Sequence, residues 1–318
     1  MASSSKQNPV PRVIDYLFDR MQIDDDWAVR TDEGFTWWAH RQAQRLYAGP
    51  PREVGGIVTR ALHIETDLLR RVPAGTETLV RLAGINRLAT LSAYVADPDE
   101  GRVRLHASVS LTADNIPMAR GLALHAMALQ VADATSEAEP LAEIFGGEVD
   151  ESTHPEAGER EEPDEMLGVV ALYEDRGAGD SPFTAEEMAA LVHLAPRPWL
   201  MASSMPDGLH AEFAFGATGK SRLELDTETR HPALGSGLQI RLVLPVPPDV
   251  ETVQRLNANE ILEPDAHQLG AWALDETLGV TYVSFLPAAA HTARLTTALV
   301  WHMAARNDWA RALLFPAG

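Results

Sequence analysis

The spacing of apolar residues in the first part of the chain changes repeatedly between that of a helix and that of a strand. Apolar side chains recur at helical spacing from Val10 to Met21, which predicts an amphipathic helix. Alternating patterns then predict a hairpin around Asp32-Glu33-Gly34 and a third strand within GIVTRALHIETDLL. The series ends with a short helix, two strands and a long helix, in PAGTETLVRLAGIN, LSAYVADPDEGRVRLHASVSL and IPMARGLALHAMALQVADA.

The same order of elements returns in the second part of the chain. Thr184 and Glu187 have the spacing of a capping box, and Phe183 can pack against Met188, so a helix is predicted to begin there. Strands are predicted on both sides of Pro206-Asp207-Gly208 and within GLQIRLVLPV. The remaining predictions are a short helix capped by Asp249, two strands around Thr277-Leu278-Gly279, and a final helix from about Thr292.

The word E-T-x-x-R-L occurs in both predicted middle helices. It reads ETLVRL from Glu77 to Leu82 and ETVQRL from Glu251 to Leu256, and Ala93-Tyr94 corresponds to Ala271-Trp272 in the strands that follow. We interpret the chain as a duplication. Each half is an α-β-β-β-α-β-β-α unit with an antiparallel sheet, so the fold class is α+β. In each copy of the word, the leucine is predicted in the core and the arginine in solvent.

An acidic segment separates the two predicted units. Residues 135–165 carry about a dozen carboxylates against the single base Arg160, and such a segment repels itself and has little to bury. It is predicted to be a mobile linker, with an added strand at 166–175. A docking site, an autoinhibitor and a solubilising tether are alternatives for its role. The predicted boundaries are 8–134 for the first domain, 135–183 for the linker and 184–318 for the second domain.

The order of these elements resembles that of the type III secretion chaperone fold and of the related YbjN family. The resemblance is carried by the amphipathic helix from Val10 to Met21, the hairpin DWAVRTDEGFTWWA, and the closing strand-strand-helix part. More narrowly, the chain resembles the actinobacterial peptide-binding chaperone-like proteins grouped with those families. The resemblance implies an antiparallel sheet, covered by helices on one side, that binds polypeptide segments or assembles with like units.

Secretion chaperones of this kind are usually single units that dimerise, whereas here two units are fused. The resemblance therefore implies an intramolecular pseudo-dimer, or a homodimer of the whole chain, with a polypeptide client or partner protein. The first functional hypothesis is a chaperone-like or adaptor protein. The alternatives are a structural assembly protein that uses its sheet faces only for self-association, and a secretion-specificity chaperone of the EspG kind.

Composition and charge exclude several classes of partner. The chain has 318 residues, no cysteine and a formal net charge of -20. Such acidity argues against nucleic acid and anionic membranes, because both require basic groups on the protein. No apolar run approaches the roughly 20 residues of a membrane span, and the start lacks the apolar core of a signal peptide. We therefore expect a cytoplasmic protein without disulfides and without membrane insertion.

No motif in the sequence predicts catalysis, a metal site or a cofactor. AFGATGKS approaches a phosphate-binding loop, but Ala214 stands where that loop requires glycine, and the stretch joins two predicted strands. Lys220 within it is then a surface charge. The histidines form no H-E-x-x-H pair, no G-x-S-x-G elbow occurs, and His302 is expected to be a structural residue. We therefore expect a protein that is not an enzyme and has no catalytic residue.

Aromatic residues offer the candidate contacts for a polypeptide. In FTWWAH, strand alternation places Trp37 on one face and Trp38 with His40 on the other. If helices cover the first face, Trp38 and His40 are free to contact a ligand; alternatively, the other unit or the acidic segment covers Trp38. Phe285 presents the same choice on a strand of the second unit. The predicted peptide-binding residues are thus Trp38, His40 and Phe285.

Overall fold

In a computed structural model, the chain forms two antiparallel sheets, each covered by helices. The structure describes residues 8–97, 99–170, 182–193, 200–205, 207–216, 219–262 and 267–315. The first sheet has the strand order β1-β2-β3-β5-β7-β6, with β4 and β8 paired to β5. The elements are α1 (Val10–Met21), β1 (Ala28–Thr31), β2 (Gly34–Trp38), β3 (Ala43–Ala48), β4 (Arg52–Val54), β5 (Ile57–Arg70), α2 (Thr76–Ile85), β6 (Ala93–Asp97), β7 (Arg102–Leu111), α3 (Ile116–Phe145), β8 (Glu148–Val149) and α4 (Glu165–Val170).

The second unit follows the same plan. Its sheet has the order β14-β15-β13-β11-β10-β9, with β12 paired to β13. The elements are α5 (Ala185–His193), β9 (Met201–Met205), β10 (Gly208–Phe215), β11 (Gly219–Asp226), β12 (Arg230–His231), β13 (Gly235–Val243), α6 (Val250–Leu262), β14 (Ala271–Asp275), β15 (Gly279–Pro287) and α7 (Ala293–Leu314).

The α+β class with two similar antiparallel sheets is confirmed, but each unit has four main strands before its middle helix where three were predicted. The missed strands are β3 and β11. Each carries a polar residue at a buried position, since Gln44 and Ser221 are 1% and 0% exposed. Gln44 bonds to Gln130 in α3, and Ser221 bonds to Asn307 in α7. The apolar alternation of both strands is therefore too short to be recognised in the sequence.

A glycine opens the second strand of each sheet, because the neighbouring strand leaves no room for a side chain. A Cβ on Gly34 would lie 2.0 Å from the carbonyl oxygen of Leu46, and a Cβ on Gly208 would lie 1.8 Å from that of Leu225. Glycine is required wherever two backbones approach this closely. The two glycines occupy equivalent places, which supports the interpretation of the chain as a duplication.

The helices lie on one face of each sheet and bury its apolar residues. α1 and α3 pack in the first unit, and α5 and α7 pack on the second sheet. Trp37 and Trp272, both 0% exposed, are the largest side chains of this interior. α3 also packs against α7, and one continuous cluster of buried side chains therefore runs through both units.

The repeated E-T-x-x-R-L word has the same structural role in both units. Its leucines are buried, as predicted. Its arginines are exposed, but each also binds the end of the long helix of its own unit, which was not predicted. Arg81 donates to the carbonyl of Ile144 in α3, and Arg255 Nη2 donates to that of Leu313 in α7. The last carbonyls of a helix lack partners within the helix, so the guanidinium groups satisfy them.

A buried asparagine ties each middle helix to the strand that follows it. Asn86, directly after α2, bonds to both backbone groups of Tyr94, and Asn257 in α6 bonds to both backbone groups of Trp272. The two asparagine side chains are 1% and 2% exposed. Each side chain thereby fixes the position of a helix relative to the edge of a sheet.

The acidic segment is ordered where the sequence predicted a mobile linker. α3 continues through the predicted boundary at 134/135, and β8 then pairs with β5. Ala138, Leu141 and Phe145 lie buried in an apolar cluster with residues of the first sheet, so the segment has apolar groups to bury after all. Residues 166–170 lie in α4, where a strand was predicted. Residues 171–175 of that predicted strand lie outside the described residues.

The two units exchange backbone hydrogen bonds beside β7 of the first sheet and β15 of the second sheet. Ser108 in β7 and Gln268 each donate an N–H to the carbonyl of the other, both at 2.9 Å. Phe285 in β15 donates its N–H to the carbonyl of Thr90 (3.1 Å). α2 also packs against α6 and β14, so the middle helices meet where the units join.

Replacing Asn257 by alanine should destabilise the fold. The change leaves the N–H and C=O of Trp272 without partners, and a buried unsatisfied polar group costs about 1–3 kcal/mol. We expect the free energy of unfolding, measured by urea denaturation, to fall by about 2–4 kcal/mol. Asn259→Ala is the matched control, because this half-buried side chain of the same helix bonds to the carbonyl of Arg255 and not to a strand; it should alter the free energy of unfolding by less than about 0.5 kcal/mol. Equal losses in both variants would contradict this role of Asn257.

Candidate polypeptide-binding surface

Residues 146–164, here called the strap, lie on the surface of the first unit. Besides the pairing of β8 with β5, the strap is bound to the first unit by main-chain hydrogen bonds at three places along its length. Main-chain bonds hold a segment without requiring particular side chains. These bonds run from the N–H groups of Asp150, Ser152 and Asp164 to the carbonyls of Leu68, Arg41 and Ala39, at 2.9, 2.9 and 2.8 Å.

Trp38 is covered by the strap and is 6% exposed. Its indole Nε1 donates to Ser152 Oγ (3.1 Å), and the His154 ring stands edge-on to it with 4.8 Å between centroids. Its carbonyl accepts a hydrogen bond from Arg160 Nη1 (2.6 Å). Of the alternatives drawn from the sequence, cover by the acidic segment is the one observed. Trp38 is therefore not an exposed contact while the strap is in place.

Arg160 anchors the strap through its side chain. The guanidinium bonds to Asp164 Oδ2 (3.0 Å), lies 3.8 Å from Asp24 Oδ2, and lies over the Trp27 ring at 5.1 Å from its centroid. The side chain is only 9% exposed, and both ion pairs and cation–π contacts are stronger when they are shielded from water. Sequence reasoning missed this anchor. A signal was present in the sequence, because Arg160 is the single arginine among many carboxylates and could therefore be expected to form an ion pair.

His40 lies half-buried beside the strap. Partial burial, and then the positive charge of Arg41, lowers the pKa of His40, while a backbone hydrogen bond at Glu161 of the strap acts in the opposite direction. Trp38 and His40 thus both lie beside the strap. The sequence predicted that the two residues share one face of the strand.

Phe285 is placed elsewhere, at the contact between the units. It is 2% exposed, its ring lies 5.0 Å from that of His231, and its N–H is bound to Thr90 of the first unit. Its ring is therefore buried against its own unit, and its main chain is bound to the first unit, which corrects the expectation of an exposed ligand contact. Phe285 does not belong to the surface that carries Trp38 and His40.

A cluster of polar side chains, buried except for Tyr47 at its border, joins the first sheet to the second unit. Tyr47 donates its hydroxyl to Glu65 Oε1 (2.8 Å), and this oxygen lies 3.9 Å from His106 Nε2. His106 Nε2 also lies 3.3 Å from His63 Nδ1, and its Nδ1 bonds to Gln268 of the second unit. Such groups resemble an acid–base site in type, but His106 is 0% exposed. The cluster is therefore part of the contact between the units.

Burial sets the charge states of this cluster. It lowers the pKa of His106 to about 4 and also lowers the pKa of His63, because an imidazolium is poorly solvated there. Burial opposes the ionisation of Glu65 as well. His106, once acid has protonated it, favours the carboxylate, and the hydroxyl of Tyr47 and the guanidinium of Arg45 favour it at neutral pH as well; together they keep the pKa of Glu65 below its ordinary value. The cluster is thus held with a carboxylate and neutral imidazoles at pH 7.

The stretch that approached a phosphate-binding loop is a turn between strands. β10 ends at Phe215, β11 begins at Gly219, and these two residues are paired in the ladder. Lys220 is exposed and forms an ion pair with Glu212 (2.7 Å), as expected for a surface charge. Residues 217–218 of the turn lie outside the described residues.

Within the described ranges, no group of three or more His, Asp and Glu side chains is arranged to hold a metal ion. No described helix combines the length and the apolar character that crossing a membrane takes. Comparison with family models, with curated proteins and with solved structures finds no match for the chain.

The stability of the protein should fall as the pH is lowered from about 6.5 towards about 4, because His106 is kept neutral in the fold. Burial holds its folded pKa at about 4, against 6.5 for a free histidine. Between these values the unfolded chain binds the proton more readily, so acid favours unfolding. The contribution of His106 to the free energy of unfolding is present in full above pH 6.5. About 3 kcal/mol of it is lost by pH 4.

Urea denaturation between about pH 7 and pH 5 measures this dependence. His106→Gln keeps a polar side chain without a titrating group, and its free energy of unfolding should fall less steeply with acid. His210→Gln, an exposed change, is the matched control and should retain the slope of the unmodified chain. If His106→Gln and the unmodified chain share one slope, His106 is not the group responsible.

Proposed function

We propose that this chain is a non-enzymatic polypeptide-binding protein of the chaperone-like or adaptor kind, acting in the cytoplasm. Its ligand is a segment of a client polypeptide or partner protein, and no cofactor takes part. The resemblance of the element order to type III secretion chaperones and YbjN supports this proposal, since it implied sheets that bind polypeptide segments. Fusion of two units in one chain is in keeping with an intramolecular pseudo-dimer.

The observation that carries the proposal is the way in which the strap lies on the first unit. A polypeptide segment is held there by main-chain bonds, by the Trp38 indole and by a guanidinium site at Trp27 and Asp24. Peptide-recognition surfaces use the same combination, in which main-chain bonds supply affinity and side-chain sites supply selectivity. The surface beneath the strap, here called the seat, consists of Trp38, Ala39, Arg41 and Leu68.

The strap is the chain's own occupant of the seat, and a client takes its place. Because the strap is tethered, its effective concentration at the seat is high, on the order of millimolar for a short connection. A client therefore displaces it only if the client binds more tightly than the strap or is presented at a higher local concentration. The strap thus sets a threshold for the affinity of clients.

The strap should bind the seat as a separate peptide when its own copy is removed. In the strap-less variant, residues 146–164 are replaced by a glycine-serine sequence of equal length. A fluorescently labelled peptide of residues 146–164 is titrated with this variant, and anisotropy reports binding. We expect saturable binding with a dissociation constant on the order of 1–100 μM, and binding about tenfold weaker for a scrambled peptide of equal charge.

Two tryptophan variants provide the controls. Trp38→Ala in the strap-less variant should weaken the peptide about tenfold, because the indole is a buried anchor. Trp301→Ala, an exposed change in α7, should leave binding unchanged. If the strap-less variant does not fold, Arg160→Gln in the intact chain replaces it, since a loosened strap should admit the same peptide. Equal binding of the ordered and scrambled peptides, or no binding to a folded variant, refutes the proposed function.

Self-association is a second candidate function, favoured by the first strand of the second sheet. β9 lies at the edge of its sheet and, among the described strands, pairs with β10 alone. Leu200, Met201 and Met205 on and beside it are 53%, 58% and 44% exposed. An exposed edge with apolar side chains is a template for pairing with another chain. The same edge in a second copy of the protein could serve as that partner.

Met201→Lys should abolish any such self-association, because a charge on an edge strand opposes pairing between copies. Sedimentation velocity at several protein concentrations measures the dimer fraction of the intact chain and of the variant. Val80→Lys, which adds the same charge at an exposed apolar position of α2, is the matched control and should leave the dimer fraction unchanged. An intact chain that remains monomeric at every concentration rules out this candidate.

A further inference from the structure

An acidic cleft lies between the strap and the turn that precedes β1. It consists of two adjoining cavities of about 600 and 720 Å³, which share Trp27 and Ala157 in their linings. Carboxylates outnumber cationic side chains in both linings: the turn contributes Asp24, Asp25 and Asp26, and the strap contributes all of its acidic side chains between residues 156 and 164. A surface of this charge attracts cations over a distance of about 8 Å at physiological salt.

The two arginines in the lining do not neutralise the cleft. Arg160 is bound to Asp164 and to the carbonyl of Trp38. Arg30 pairs with Asp15 outside the cleft and lies over the Phe18 ring at 4.3 Å. The remaining carboxylates of the cleft therefore keep their negative charge for a ligand.

His154 supplies an independent sign of a ligand in the same cleft. It lines the larger cavity and is 6% exposed. Its Nδ1 accepts hydrogen bonds from the N–H groups of Glu156 (3.2 Å) and Ala157 (2.9 Å), so the proton of the neutral ring is on Nε2. That Nε2 has no hydrogen-bond partner among the described residues. A buried donor without a partner calls for an acceptor, such as a carbonyl oxygen of a bound molecule.

Arg160 shows how a cationic side chain is held in this place. Its guanidinium combines the Trp27 ring with the carboxylates of Asp24 and Asp164. An aromatic face flanked by carboxylates suits both guanidinium and ammonium groups. Further cations of the same type have Asp25, Asp26 and Glu156 of the neighbouring cavity as partners.

From these contacts we infer that the cleft is the docking site for a basic segment of the client polypeptide. Lysine or arginine side chains of the segment pair with the carboxylates of the cleft, and one of its backbone carbonyls accepts the proton of His154 Nε2. A polypeptide is the ligand that offers both groups at once, since a polyamine has no acceptor of this kind and nucleic acid repels the carboxylates. The inference rests on the proposed function in that the ligand is a polypeptide, but it concerns the cleft and not the seat. Because the strap supplies His154 and Glu156, docking in the cleft is the first contact of the client and precedes displacement of the strap.

The test uses the intact chain and a fluorescein-labelled peptide of alternating arginine and serine. Anisotropy is followed at about 0.05 M and about 0.3 M salt, because exposed ion pairs are screened as salt rises. A triple variant removes three charges of the cleft by Asp25→Asn, Asp26→Asn and Glu156→Gln. It should bind the peptide about tenfold more weakly at low salt, and its binding should depend less on salt. The matched control carries Glu228→Gln, Glu251→Gln and Glu276→Gln, the same loss of charge at exposed positions of the second unit, and should bind within about twofold of the intact chain.

Spermine and a histidine variant separate a polypeptide from a polyamine. His154→Phe should weaken the arginine-serine peptide severalfold and leave spermine binding unchanged, whereas His154→Gln, which keeps a donor, should restore part of the peptide affinity. The inference is overturned if both triple variants weaken binding of the arginine-serine peptide equally. It is also overturned if His154→Phe leaves the affinity of that peptide unchanged. Binding of the strap peptide to the seat, without binding of the basic peptide to the cleft, overturns this inference and leaves the proposed function standing.

Discussion

The arrangement of the two units depends on a reciprocal exchange of main-chain hydrogen bonds. Ser108, in β7 of the first sheet, is bonded to Gln268, and Phe285, in β15 of the second sheet, is bonded to Thr90. In both cases the partner comes from the other unit, from the stretch that leads into its strand β14 or β6. Buried main-chain groups at the edge of a sheet must find partners. Each unit supplies those that the other lacks, which neither could do alone.

This exchange also decides which surfaces remain open to a ligand. At β7 and β15, the sheet faces that carry His106 and Phe285 are shielded from solvent, since these two residues are 0% and 2% exposed. The opposite faces are covered by helices. The sheets are accessible chiefly near their first strands. There the first unit carries Trp38 and the strap, and the second unit carries β9 with its exposed methionines.

Local patterns in the sequence predicted the elements whose formation depends on local patterns, such as α1, the hairpin of β1 and β2, and the repeated order. They failed for β3 and β11, because Gln44 and Ser221 are buried only through partners 86 residues away in the chain. They failed for the strap because composition averages over its residues, whereas particular main-chain bonds and the one side chain of Arg160 hold it in place. For Trp38 the sequence supplied the correct alternative, but only the fold decides which segment covers it.

The carboxylates that hold Arg160 also line the acidic cleft, so binding of a cation and binding of the strap are linked. A cation bound at Asp24 or Asp164 competes with the guanidinium of Arg160 and so weakens binding of the strap. By reciprocity, the bound strap lowers the affinity for that cation by the same factor. The main-chain bonds at Asp150 and Ser152 involve neither carboxylate. Loosening is therefore confined to the end of the strap near Arg160, while β8 keeps its pairing with β5. Charge controls one end of the segment, and the main chain holds the other.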